Sequence, residues 1–186
     1  MYAADSADYF IYTNADIALQ PFFYQTVSSI IASGYDSFVI NRRTISAHYE
    51  QDEDIPLMYS EIGESHPGYD CFIFRRDIYP LFKLGSVCIG TAWIGRALVA
   101  NMVAYSNKFK EFRDAHLTFH IGDSMQWRQE EYSDYFQENQ KEYLKIFKQL
   151  EPERGEFESV LRSYLLDTGD KRKIPDFDKF HSEKGK

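Results

Sequence analysis

Cysteine is almost absent. The two present, Cys71 and Cys88, lie inside apolar runs (Cys-Phe-Ile-Phe and Val-Cys-Ile) without zinc-type spacing, which excludes a cysteine-held zinc and predicts two buried, reduced thiols. Positive charge is also short: 21 Lys and Arg against 29 Asp and Glu leave a net charge of −8. A nonspecific nucleic-acid binder needs a basic surface, so no nucleic-acid partner is expected. The deficit says nothing against a metal-bridged phosphate ligand, because the ion supplies the positive charge. Long apolar runs are missing too, and none approaches the ~20 residues that span a bilayer. The opening residues, Met-Tyr-Ala-Ala-Asp-Ser-Ala-Asp, carry neither the basic region nor the apolar run of a secretory leader. A cytoplasmic protein without a membrane span is the expectation. No internal repeat is evident.

What remains is ordinary for a globular domain. The 186 residues suffice for one domain with a sizeable core, and 44% hydrophobic with 27% charged residues is unexceptional. Aromatics are plentiful, with 15 Phe and 14 Tyr; such rings build cores first and can stack on sugars or bases.

The segment Asp8-Tyr-Phe-Ile-Tyr-Thr-Asn-Ala-Asp-Ile17 organises the rest. Tyr9 to Tyr12 read as a buried strand, and Pro21 opens a helix over 22–33 closed by Gly34. Ser-Phe-Val-Ile-Asn after Asp36 is a second strand ending at Arg42 and Arg43. This strand–helix–strand succession predicts an α/β fold. Residues 46–68 read as a long acidic loop, then Tyr69 to Phe74 as a strand and Ile78 to Phe82 as a helical turn. Thr91 to Tyr105 reads as an amphipathic helix, with Ile94, Ala97, Leu98, Met102 and Tyr105 on one face, and His116 to His120 as a strand. The remainder is helical: Tyr132, Tyr135, Phe136, Tyr143, Ile146, Phe147 and Leu150 recur at 3.6 spacing, as do Phe157, Val160, Leu161, Tyr164 and Leu165, with Pro152 and Gly155 between the two helices. The domain expectation is therefore an α/β core over 1–127, a helical extension over 128–168 packed on it, and a flexible charged tail over 169–186.

Three polar tips stand at strand ends: Asn14 with Asp16, Asp70 with Arg75 and Arg76, and His120 with Asp123. In open α/β sheets ligands bind beyond the carboxyl ends of strands. Residues two apart in an extended segment point the same way, so Asn14 and Asp16 can face one hard cation. An oxygen pair with a distant His is a first shell for a divalent ion. Each tip also has a plainer reading. Asn14 and Asp16 suit a turn that caps the next helix, Asp70 and Asp123 suit turns, and His120 suits a structural hydrogen bond.

Tyr12-Thr-Asn-Ala-Asp-Ile after a strand resembles the metal-binding Asp-x-Asp tip of GT-A-fold glycosyltransferases, the nucleotide-sugar enzymes, with Asn14 at the position of the first acidic residue. Gly68-Tyr-Asp-Cys-Phe-Ile-Phe-Arg-Arg-Asp resembles that fold's acceptor-side strand, and Leu117-Thr-Phe-His-Ile-Gly-Asp its late metal-ligand His. The resemblance implies a partial GT-A mixed sheet flanked by helices, and metal-dependent transfer of a sugar from a nucleoside-diphosphate sugar to a glycan, lipid or protein acceptor. Asn14, Asp16 and His120 would hold Mn²⁺ or Mg²⁺, and Asp70 would be the general base or a sugar-hydroxyl ligand. Arg42 and Trp93 would contact the donor, with Arg43, Arg75 and Arg76 as further phosphate or carboxylate partners. Only seven residues precede Asp8, so the resemblance implies the metal- and acceptor-side half of such a domain: a fragment, a reduced homologue, or part of a larger assembly in which a partner segment supplies the nucleotide-binding half. The alternatives are a noncatalytic remnant of the fold acting as a binding module, or a partner-binding surface on the aromatic helices.

Overall fold

The computed structural model describes residues 6–123, 130, 133–154, 157, 159–167 and 172–183. It is a mixed α/β fold built on two four-stranded mixed sheets. The first contains β1 (Tyr9–Thr13), β3 (Ser37–Ile40), β6 (Cys71–Arg75) and β7 (Phe109–Phe112), ordered β1-β6-β3-β7. β6 runs antiparallel to both neighbours, whereas β3 and β7 are parallel. The second, smaller sheet contains β2 (Ala18–Leu19), β4 (Arg43–Ile45), β5 (Glu64–Ser65) and β8 (Thr118–Ile121), ordered β2-β8-β4-β5. The chain passes from the first sheet to the second after β1, after β3 and after β7.

Helices cover both faces of the first sheet, which is why its strands read as unbroken apolar runs. On one face Phe38, Ile40, Cys71 and Ile73 pack with Phe23 and Val27 of α1 (Phe23–Ala32). On the other, Val39, Phe72, Phe74 and Phe109 pack with α3 (Ile94–Tyr105), α4 (Ser133–Arg154) and α5 (Ser159–Leu166). Adjacent residues thus go to opposite layers, as the two-residue period of a strand requires. α4 presents Tyr143, Ile146, Phe147 and Leu150, and α5 presents Leu161, Tyr164 and Leu165, to the same core as the sheet.

Several expectations are corrected. β1 lies at the end of its sheet, so its five residues are half-buried rather than buried. Every residue from Ala97 to Ala104, Asn101 included, is buried, so α3 is buried on all sides and not along one face alone. It lies between sheet and helices, where three alanines allow close approach. The stretch 46–68 is not one loop: a 3-10 turn (Asp52–Asp54) leads into α2 (Ile55–Ser60), then β5. Asp54 accepts the N–H groups of Glu50 and Gln51 at 3.2 and 3.3 Å, and Pro56 follows at the helix start, a start signal hidden in the acidic run. α4 continues through Pro152 to Arg154. Tyr135 and Val160 face solvent, and Cys88 is exposed. The charged tail is not loose over 172–183: Arg172 is buried, and α6 (Phe177–Glu183) sets Phe177 4.8 Å from Phe109. Trp127, Tyr132, Gly155 and the boundary near 127 lie outside the described residues.

Candidate functional site

The site forms where the two sheets meet. Thr13 pairs with Cys71 at the end of β1, so the next residues, Asn14 and Asp70, face each other across the strand tips. Thr13 Oγ1 and Asn14 N both donate to the Asp70 carbonyl, at 3.1 and 3.2 Å. Asn14 Nδ2 donates to Asp70 Oδ1 at 3.2 Å, which leaves the amide oxygen of Asn14 as its remaining ligand group.

Arg42 occupies the step between β3 and β4. Its guanidinium spans two carboxylates, Asp70 Oδ1 at 3.1 Å and Asp123 Oδ1 at 3.2 Å, and so ties the first sheet to the loop that follows β8. Among the described residues, buried Asp70 keeps Oδ2 without a hydrogen bond, and Arg42 Nε likewise has no partner. His66 Nδ1 lies 3.7 Å from that oxygen, but it already accepts the Gly68 N–H at 3.0 Å. Its lone pair is engaged, so the contact is not a charge-assisted bond.

The second half of the site belongs to the second sheet. Gly122, at φ +67, turns the chain so that its carbonyl meets His120 Nδ1 at 2.6 Å. A carbonyl oxygen only accepts, so Nδ1 donates and in the neutral ring Nε2 carries the lone pair. That nitrogen stands 3.2 Å from Asp16 Oδ2. Two lone-pair holders at this separation need a positive species between them, either a proton on the ring or a cation. An imidazole fixed through its other N–H by a backbone carbonyl is the usual arrangement of a ligating histidine. The Asp16 carboxylate is 65% exposed and reachable. Mn²⁺ and Mg²⁺ accept oxygen and imidazole donors of the kind that Asp16 and His120 present. Among the described residues, no group of three or more His, Cys, Asp and Glu side chains converges on one point; the donor set depends on Asn14.

The structure therefore places Asn14, Asp16, Arg42, Asp70 and His120 at one junction, with Asp123 and His66 added. His66 left a signal, the loop His-Pro-Gly two residues ahead of Asp70. Trp93 is elsewhere. It stands before α3 at φ +81 and packs on Tyr143 and Phe136, with ring centroids 5.5 and 5.8 Å away. Arg43 is occupied by Asp114 and by the carbonyls of Ile62 and Gly63. Arg75 pairs with Asp77 at the opposite end of β6.

Comparison with known proteins leaves the geometry to stand alone: no protein-family model, no curated protein and no solved structure matches this chain. Among the described residues no helix is long and apolar enough to cross a membrane.

Proposed function

We propose that this chain is the metal- and acceptor-side part of a GT-A-like glycosyltransferase, moving a sugar from a nucleoside-diphosphate sugar to a glycan, lipid or protein acceptor. The observation that carries the reading is the Asp16–His120 pair: an imidazole nitrogen freed by the Gly122 carbonyl faces a carboxylate oxygen at 3.2 Å. Asp16, His120 and the Asn14 amide oxygen would hold Mn²⁺ or Mg²⁺. Such an ion, when bound, neutralises the diphosphate and stabilises the charge it gains on leaving. Asp70 works from the other side. Its Oδ1 is fixed by Arg42 and Asn14, while Oδ2 takes the acceptor hydroxyl and receives its proton as the hydroxyl oxygen bonds to the sugar. Arg42 orients Asp70 and Asp123 rather than the donor, because both carboxylates engage its guanidinium. β1 has no strand on its outer edge among the described residues, and a partner segment carrying the nucleotide-binding half would join the sheet there.

The same commitment of Arg42 favours the second reading, a noncatalytic binding module. Both terminal nitrogens of Arg42 are held by carboxylates, and Arg43 is held by Asp114.

Calorimetric titration of uridine and guanosine diphosphates, with and without Mn²⁺, separates the two. The enzyme reading expects binding that requires the metal and disappears in Asp16→Ala. Affinity that ignores both the metal and Asp16 would overturn it.

A further inference from the structure

α2 is apolar and yet lies on the surface. It reads Ile-Pro-Leu-Met-Tyr-Ser, and none of these residues is buried. A helix this short cannot hold itself in water, and its ties to the core are few. Gln20 Nε2 donates to the Tyr59 carbonyl at 3.2 Å, and the Tyr59 and Phe119 ring centroids stand 6.0 Å apart. Ile55 and Tyr59 are exposed, Leu57 is 57% exposed, and Ile62, just beyond the helix, is 69% exposed. A single exposed apolar residue is ordinary. Four in one short stretch of chain form a patch, and patches of this kind mark contacts with other molecules.

The charge around the patch has one sign. From Thr44 to Phe74 the chain carries no Lys or Arg against seven Asp and Glu. Three of the seven are committed within the fold. Asp54 accepts the N–H groups of Glu50 and Gln51, Glu61 accepts the Ser46 N–H and the Tyr49 hydroxyl, and Asp70 holds Arg42. The other four, Glu50, Asp52, Glu53 and Glu64, are exposed, and none is in an ion pair among the described residues. Glu53 precedes Leu57 by four residues and Glu64 follows Ile62 by two, so free carboxylates border the apolar stretch on both sides.

This combination selects among occupants. A second copy in a two-fold contact would set the same patch against itself, carboxylates on carboxylates. An anionic bilayer meets the same repulsion, to which the net charge of −8 adds. A partner with Lys or Arg beside apolar side chains satisfies both halves of the surface. Its apolar groups cover Leu57 and Ile62, and its cations pair with the rim, where charge sets orientation and association rate. We propose that α2 and the turn after it dock a basic, amphipathic segment of another protein. The surface uses no residue of the Asp16–His120 junction, so the inference does not rest on glycosyl transfer.

The probe is a synthetic helical peptide of leucine and lysine, apolar along one face, titrated into the full chain while backbone amide shifts are recorded. Saturable shifts at Leu57, Tyr59 and Ile62 are expected. The double variant Leu57→Ser, Ile62→Ser should bind about tenfold or more weakly, because two anchors of the contact are lost. Both side chains are exposed, so its urea midpoint should stay that of the parent. Leu81→Ser with Ile89→Ser, at exposed apolar residues elsewhere, should bind like the parent. Glu53→Gln with Glu64→Gln should weaken binding at low salt and change it little at high salt. A serine–lysine peptide, which keeps the charge alone, should not bind at matched concentration. Absence of saturable shifts at these amides, equal loss in the Leu81 and Ile89 variant, or equal binding of the serine–lysine peptide would overturn the proposal. So would a dimer of the chain in sedimentation, or binding to phosphatidylserine vesicles, that the Leu57→Ser, Ile62→Ser change abolishes: the first assigns the face to a second copy, the second to a membrane.

Discussion

Replacing Arg172 with methionine should destabilise the fold by about 3 kcal/mol. The figure follows from the surroundings of Glu111, whose side chain is 0% exposed. That carboxylate accepts four hydrogen bonds: Asn41 Nδ2 at 3.0 Å, Arg113 Nε at 2.9 Å, Tyr164 Oη at 2.7 Å and Arg172 at 2.7 Å. Breaking a buried ion pair from one side costs roughly 3–5 kcal/mol, because the remaining charge stays desolvated. Here three bonds survive and Arg113 retains a compensating charge, which puts the loss at the lower end. Urea unfolding followed by far-ultraviolet dichroism measures it. Glu111→Gln and the double variant complete a cycle, in which the second substitution should cost less in the presence of the first. A loss within about 0.5 kcal/mol, the scale of ordinary surface changes, would refute the reasoning and detach residues 172–183 from the core.

Three further outcomes follow from burial and hydrogen bonding. At pH 8 an alkylating reagent should modify Cys88, which is exposed, and leave Cys71, whose pKa burial pushes up to about 12; mass spectrometry of the native protein counts the adducts, and modification of both sites would contradict the packing. Burial likewise raises Tyr69 from 10.0 to about 12. A raised folded-state pKa contributes stability that is complete below the unfolded value, so urea midpoints should hold up to pH 10 and fall as pH climbs toward about 12. A flat profile across that window would argue against a buried Tyr69. Asn139→Ala should cost about 2 kcal/mol, since it strands the Cys88 N–H and two carbonyls, and hydrogen exchange should rise at Cys88; unchanged exchange would mean the loop is held by other contacts.

Much of the fold was legible where one physical demand dominated. The runs Ser-Phe-Val-Ile and Cys-Phe-Ile-Phe are apolar because both sheet faces are covered, and Tyr143, Ile146, Phe147 and Leu150 repeat at helical spacing because one side of α4 meets the core. β7 was missed because its alternation puts a carboxylate inside: Phe109 and Glu111 are buried while Lys110 is exposed, and only Arg172, 61 residues on, makes that tolerable. The tail read as loose for the same reason, since its charge has a buried partner far away in sequence. At the site, residue types at strand tips pointed to Asn14, Asp16, Asp70 and His120. Nothing local could give the role of Arg42, which depends on Asp123 returning from 81 residues away, or the Gly122 carbonyl that sets the His120 tautomer.

The most direct test of the account is Mn²⁺ binding itself, read by loss of the free-ion electron paramagnetic resonance signal as protein is added. One bound ion per chain is expected, lost in Asp16→Ala and in His120→Gln but kept in Asp70→Asn. Binding that survives both Asp16→Ala and His120→Gln, or no binding to the intact chain, would contradict a cation site at the junction of the two sheets.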